Sequence, residues 1–219
     1  QISKLFYERF IKNAEITLFS PNHVPDLYEA FGMPEFDSLY LKYEKDKSIP
    51  KQTIGAQELF QALLKERAET GRIYIMNLDH CNTHSSFKDK VYMSNLCQEI
   101  TLPTTPVQHI DDKEGEIALC ILSAVNLGLL TDMNELEELC DLSVRALDEI
   151  IDYQEYPVEA AKISAQSRRS LGIGYIGLAH YLAKNQVSYE DKKALKIVDK
   201  VTEAFQFYLL KASNNLAKE

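Results

Sequence analysis

Ser94-Asn95-Leu96-Cys97-Gln98-Glu99-Ile100 is where this chain concentrates side chains capable of chemistry. Read as an extended segment, it turns successive side chains to opposite faces, so Asn95, Cys97 and Glu99 share one face. An amide, a thiol and a carboxylate then stand side by side, within reach of one small ligand. Leu96 and Ile100 point the other way, where packing would hold the segment still. Cys120 lies in Glu116-Ile117-Ala118-Leu119-Cys120-Ile121-Leu122, which reads as a second, buried strand. A cysteine in an apolar run is ordinarily a small core residue, and its neighbours alone place Cys120 in that class. Cys97 differs, because a core strand does not put Asn and Glu on its buried face. Two thiols on neighbouring strands, one of them flanked by an amide and a base, suit redox or radical chemistry.

Two other groupings compete for attention. Asp79-His80-Cys81-Asn82-Thr83-His84 holds imidazoles and a thiol, which are good zinc ligands, so a metal-binding module using His80, Cys81 and His84 is an alternative function. No second Cys/His cluster is at hand to close a structural site, and three ligands would serve only a catalytic zinc. The plainer reading is a polar loop after a strand, with Asn82 and His84 as hydrogen-bonding groups. Gly172-Ile173-Gly174-Tyr175-Ile176-Gly177 matches the dinucleotide fingerprint letter for letter. That motif carries weight only after a strand, and Gln166-Ser167-Arg168-Arg169-Ser170 is no strand. The glycines read instead as allowing a strand to pack closely on the helix that follows. Arg168 and Arg169 read as surface arginines that meet water or carboxylates.

The elements that must position these groups are helices and strands in alternation. A helix over residues 2–14 precedes a strand at Glu15–Phe19. A proline-led helix follows over residues 24–32, then one bearing Phe36, Leu39, Tyr40 and Tyr43, then one over Ala56–Thr70. The tyrosines here read as core and rim. Residues 72–78 alternate in the manner of a strand. Pro103 and Pro106 end the Cys97 strand. Residues 107–110 and 116–125 then read as strands around the turn 111–115, an excursion that returns Cys120 to the vicinity of Cys97. Residues 131–154 form a clear amphipathic helix, with Leu136, Cys140, Val144, Leu147 and Ile151 in one stripe; Cys140 is core. Residues 189–219 make one helix or two, with Leu195, Val198, Val201 and Phe205 inward.

At 219 residues and 45% hydrophobic, the chain can bury a substantial core as one domain. A net charge of −9 argues against a nucleic-acid partner, which would require a basic patch. No apolar run approaches the about 20 residues that cross a bilayer, so no membrane is expected. Four cysteines at irregular spacing suggest thiols in a reducing cytoplasm rather than a disulfide framework. Gln1 is not an initiator, and the helical pattern still runs at Glu219, so the sequence reads as a middle fragment.

The stretch 94–100, with Ala118-Leu119-Cys120 and Asn126-Leu127-Gly128, resembles the catalytic subunit of class I (Ia-like) ribonucleotide reductase. The resemblance continues through Ile16-Thr17-Leu18-Phe19-Ser20-Pro21-Asn22, Gly71-Arg72-Ile73-Tyr74-Ile75, Arg168-Arg169-Ser170-Leu171-Gly172-Ile173-Gly174 and Tyr208-Leu209-Leu210-Lys211-Ala212-Ser213, and so covers essentially the whole chain. It implies an α/β fold, a ten-stranded barrel with the radical cysteine on a central loop, of which residues 1–219 are a partial catalytic domain. It implies that Cys97 is the thiyl radical that takes the 3′ hydrogen of a ribonucleoside diphosphate. Glu99 is then the base at the 3′-hydroxyl, Asn95 orients the substrate, and Leu96 and Gln98 belong to the same substrate-binding stretch. Cys120 is half of the reducing dithiol, its partner lying upstream of this sequence.

No cofactor is bound directly on this reading. The radical comes from a metal-containing small subunit and the electrons from thioredoxin or glutaredoxin. Effector sites, relay tyrosines and the remaining segments of the large subunit lie outside the chain, which is expected to be inactive alone. A piece of a barrel exposes sheet edges, so it should aggregate or need its complement. The other class left open is an assembly module that completes another polypeptide without catalysis.

Overall fold

Ser3 starts the first helix by accepting the Phe6 N–H on its hydroxyl. The helix, α1 (Lys4–Ile11), opens a computed structural model that describes residues 1–219, in two units with separate cores, Gln1–Thr104 and Thr105–Glu219. It is shorter than the 2–14 expected, because Asn13 takes a left-handed conformation (φ 49°) that ends the helical run.

In the first unit β1 (Glu15–Phe19) pairs antiparallel with β2 (Lys51–Gly55), Glu15 opposite Gly55 and Phe19 opposite Lys51. Between them lie α2 (Pro25–Ala30), with its proline in the first turn, and α3 (Phe36–Lys45). After β2 come α4 (Ala56–Thr70) and α5 (Leu78–Thr83). The core gathers Leu5, Phe6, Ile16, Leu27, Phe36 and Tyr40. Tyr40 is buried with its hydroxyl satisfied twice: it accepts from Thr17 N at 2.6 Å and donates to Thr17 O at 2.8 Å. That phenol fastens α3 to β1, and Arg9 adds a 2.6 Å ion pair to Glu44.

In the second unit β3 (Ile121–Asn126) lies parallel to β4 (Leu171–Ile176), Ile121 beside Leu171 and Asn126 beside Ile176. Parallel neighbours require a long crossover. Two helices supply it, α6 (Glu135–Tyr153) and α7 (Glu159–Arg168). After β4 come α8 (Leu178–Lys184) and α9 (Lys192–Leu216). Val125, Ile173 and Tyr175 pack against Leu136 and Cys140 of α6 and Val201 and Phe205 of α9. By strand alternation Leu122, Ala124, Gly172, Gly174 and Ile176 turn to the other face, where Leu122 and Ile176 are exposed. The α6 stripe is the one expected, every member buried, and three glutamates in its first turn suit the helix dipole. No helix is long and apolar enough to cross a membrane.

Several expected strands are not built. Residues 72–78 gain a single parallel bridge, Ile2 with Asn77, in place of a ladder, and α5 begins at Leu78. The 94–100 segment has no strand partner and closes into a turn instead. The excursion at 107–125 keeps its turn, because the Asp112 carboxylate accepts from the N–H groups of Gln108, Glu114 and Gly115. Its flanks hold only the bridge Thr105–Glu116, and the regular strand starts at Ile121, one residue beyond Cys120. Along α9 the buried line is Ala194, Val201, Phe205 and Ala212, while Leu195 is exposed, one position off the covered face.

Truncating Leu136 to Ala should lower stability by about 2–5 kcal/mol, since it leaves a cavity in a fully buried seam. Leu142→Ala, on the exposed side of the same helix, should stay within about 0.5 kcal/mol. Urea denaturation of the two variants measures the contrast.

Candidate functional site

Asn95 shapes the first candidate centre. Its backbone O accepts from Gln98 N at 3.2 Å, its N donates to Ile100 O at 3.4 Å, and its side-chain Oδ1 accepts from Ile100 N at 3.0 Å. Asparagine is suited to such a loop because its amide can replace a backbone partner. Gln98 completes the turn in a left-handed conformation, φ 64°. Cys97 stands within this turn, exposed, with Asn95 and Glu99 exposed on either side.

The strand-like sharing of one face by Asn95, Cys97 and Glu99 is therefore corrected: the left-handed Gln98 interrupts the alternation between Cys97 and Glu99. Leu96, expected to pack inward, is 83% exposed. Asn95 has part of its hydrogen-bonding capacity committed to Ile100, which leaves its amide N–H₂ as the group able to meet a ligand.

The second candidate thiol belongs to the other unit. Cys120 is half-buried immediately before β3, its Sγ 3.8 Å from Ile121 O. Its flanks are tied down. Ile117 N donates to Ala160 O at 3.1 Å, and Ile121 N to Ser170 O at 3.2 Å. Arg168 forms a 2.7 Å ion pair with Glu116, both side chains at most one-fifth exposed, which joins the segments leading into β4 and β3. Arg169 pairs with Asp148 and Asp152, as expected of an arginine meeting carboxylates.

The fingerprint glycines are not a phosphate loop. Gly172 and Gly174 lie inside β4, and Gly177 makes the turn from β4 into α8 with φ 74°. A side chain at Gly177 would collide with Asn126 Oδ1, which accepts from Gly128 N. The expected packing of the strand on the following helix is corrected: Gly172 faces Leu122 and Cys120, Gly177 faces Asn126 and Gly128, and a Cβ on Gly174 would meet nothing within 4 Å, so none of them makes room for α8.

The metal alternative is not supported by geometry. Among the described residues no three His, Cys, Asp or Glu side chains gather into a group able to hold a metal ion. His80 and His84 are one helical turn apart in and after α5, with ring centroids 5.7 Å apart. Cys81 is rotated off that face, packs on the Met76, Leu78 and Val91 cluster, and burial raises its pKa. Cys140 is core as expected: its Sγ reaches only Phe205 O at 4.0 Å, and burial pushes its thiol up to about 11.

An apolar hollow in the first unit is lined by Phe19, Val24, Leu27, Phe31, Phe36 and Tyr40, and carries no carboxylate, imidazole or thiol to act on a substrate. What the sequence reading missed is the neighbourhood of Cys120, where Gly172 lies beneath the sulfur. Only the register of β3 on β4 places them together, and no local signal encodes that register.

The family model described as ribonucleotide reductase, barrel domain, matches residues 1–219. The chain is 59% identical over 224 residues to the ribonucleoside-diphosphate reductase subunit alpha of Haemophilus influenzae, covering 100% of this chain and 30% of that protein. It is 57% identical to ribonucleoside-diphosphate reductase 1 subunit alpha of Escherichia coli and 43% identical to the subunit alpha of Enterobacteria phage T4, each match covering 100% of this chain and 29% of the relative. The chain belongs to the ribonucleotide reductase barrel-domain family, and its mixed helices and strands are part of an α/β barrel. It spans under a third of the length of these relatives.

Iodoacetamide at pH 8 should label Cys97 at least about tenfold faster than Cys140, because only the thiolate attacks and only Cys97 is open to reagent. Labelling of Cys140 should accelerate only as pH climbs toward 11. Peptide mass spectrometry over time reads both rates, and equal rates at pH 8 would contradict the burial assigned to Cys140.

Proposed function

We propose that this chain carries the radical cysteine and one redox thiol of a ribonucleoside-diphosphate reductase catalytic subunit. The observation that carries the reading is the turn at 95–99, which presents an open thiol between an amide and a carboxylate in a chain of this family. Cys97, as a thiyl radical, takes the 3′ hydrogen of the ribose and returns it at the end of the cycle. Glu99 accepts the 3′-hydroxyl proton as charge shifts on the sugar. Asn95 donates its amide hydrogens to the substrate and holds it against the sulfur; Leu96 and Gln98 complete the stretch that surrounds it. Holding one C–H bond against one sulfur is a positioning task, and a hydrogen-bonded turn performs it at small entropic cost.

Cys120 and a second thiol, contributed from outside this sequence, supply the reducing equivalents. Two thiols become one disulfide and deliver two electrons and two protons. The 2′-hydroxyl leaves as water, and a hydrogen takes its place on carbon. Thioredoxin or glutaredoxin then restores the thiols by exchange. The radical arrives from a metal-containing small subunit, and no cofactor is held by residues 1–219 themselves. This chemistry belongs in a reducing cytoplasm and requires the remaining segments of the large subunit, so the isolated chain should be inactive.

In a reconstituted full-length subunit with its small subunit and a dithiol, Cys97→Ser should abolish ribonucleoside diphosphate reduction. Thermal stability should be unchanged, since the side chain is exposed. Retained turnover in the serine variant would sink the radical assignment and favour a purely structural, assembly role for this region.

A further inference from the structure

The thiol of Cys120 rests over a residue with no side chain. A Cβ placed on Gly172 would stand 3.0 Å from Cys120 Sγ and would overlap Leu122 Cδ2. The same Cβ on Gly174, two residues along the same strand and on the same face, meets nothing within 4 Å. Two glycines of one strand thus differ in what lies above them, and only one has a sulfur.

We propose that Gly172 is a positioning residue for Cys120. Its bare backbone lets the sulfur settle against the strand pair in the rotamer from which thiol exchange occurs. The inference rests on the assignment of Cys120 as a redox thiol. A methyl group at 3.0 Å makes the sulfur give by a few tenths of an ångström or change its staggered position, and the latter shifts it by roughly 3 Å. A disulfide tolerates little of that, because the two Cβ atoms must lie about 3.5–4.5 Å apart with a defined torsion. Displacing the sulfur therefore slows bond formation without touching the substrate.

The substitution that displaces it should also fold. Gly172 is not in the left-handed region, so the backbone accepts alanine there. Both atoms that a methyl group would meet closely are ends of side chains, so the strain falls on the rotamers of Leu122 and Cys120 and not on the ladder.

The test uses the full-length subunit with its small subunit, in wild-type, Gly172→Ala, Gly174→Ala and Gly172→Ala/Leu122→Ala forms. Two quantities are measured: steady-state kcat and KM with thioredoxin, and the rate at which Cys120 enters a disulfide when substrate is added without reductant. Gly172→Ala should slow disulfide formation and kcat by about tenfold or more, with KM and thermal midpoint unchanged. Gly174→Ala should match wild type, and adding Leu122→Ala should not restore the rate.

A wild-type rate in Gly172→Ala, or equal slowing in Gly174→Ala, would overturn the proposal. So would full recovery in the double variant, which would assign the effect to Leu122. If Cys120 of the wild-type enzyme never enters a disulfide on turnover, the redox assignment itself falls and the proposal with it; that result is read without any variant.

Discussion

The parallel ladder between β3 and β4 is the constraint on which the second unit depends. Two strands running the same way cannot be joined by a tight turn, so the chain must leave the sheet and return over a distance that helices span. That requirement accounts for α6 and α7, and it decides which faces are covered. Val125, Ile173 and Tyr175 find apolar partners on α6 and α9, and on the opposite face Leu122 and Ile176 stay exposed. The ladder also sets Gly172 beneath Cys120. A shift of one residue would put Leu171 or Ile173 there, and the sulfur would have nowhere to lie.

The Cys97 turn solves a different problem. On the proposed mechanism a reactive thiol must be presented, yet the backbone that carries it has no strand to lean on. Asn95 answers with its own side chain, closing the loop on Ile100, and Gln98 accepts an unfavourable left-handed conformation to let the chain reverse. The same residue thus frames the loop and, on the proposed mechanism, meets the substrate. A variant such as Asn95→Ala removes both roles at once, so its activity alone would not separate them.

Much of this architecture was legible in the sequence where one residue type repeats at helical spacing. The α6 stripe and the bounds of α4 follow from periodicity, because a helix writes its buried face into its own residues. Elements that depend on a distant partner were not. β2 is a half-exposed Lys-Gln-Thr-Ile-Gly segment whose strand character comes from β1. α7 buries Ala160, Ala161, Ser164 and Ala165, residues too small to write an apolar stripe. The site divides in the same way. Cys97 and its polar neighbours stand out locally, whereas their turn, and the glycine under Cys120, emerge only when strands find or fail to find each other.

The burial of Cys140 sorts the thiols of this protein by their capacity for traffic. With a pKa near 11, only about one molecule in ten thousand carries it as a thiolate at neutral pH. On the proposed mechanism disulfides are made and broken on every cycle, and a bystander sulfur that captures a mixed disulfide strands the electrons. Sealing Cys140 against Phe205 in the seam of α6 and α9 keeps it out of that exchange. On that mechanism, the packing that stabilises the fold also insulates the redox thiols.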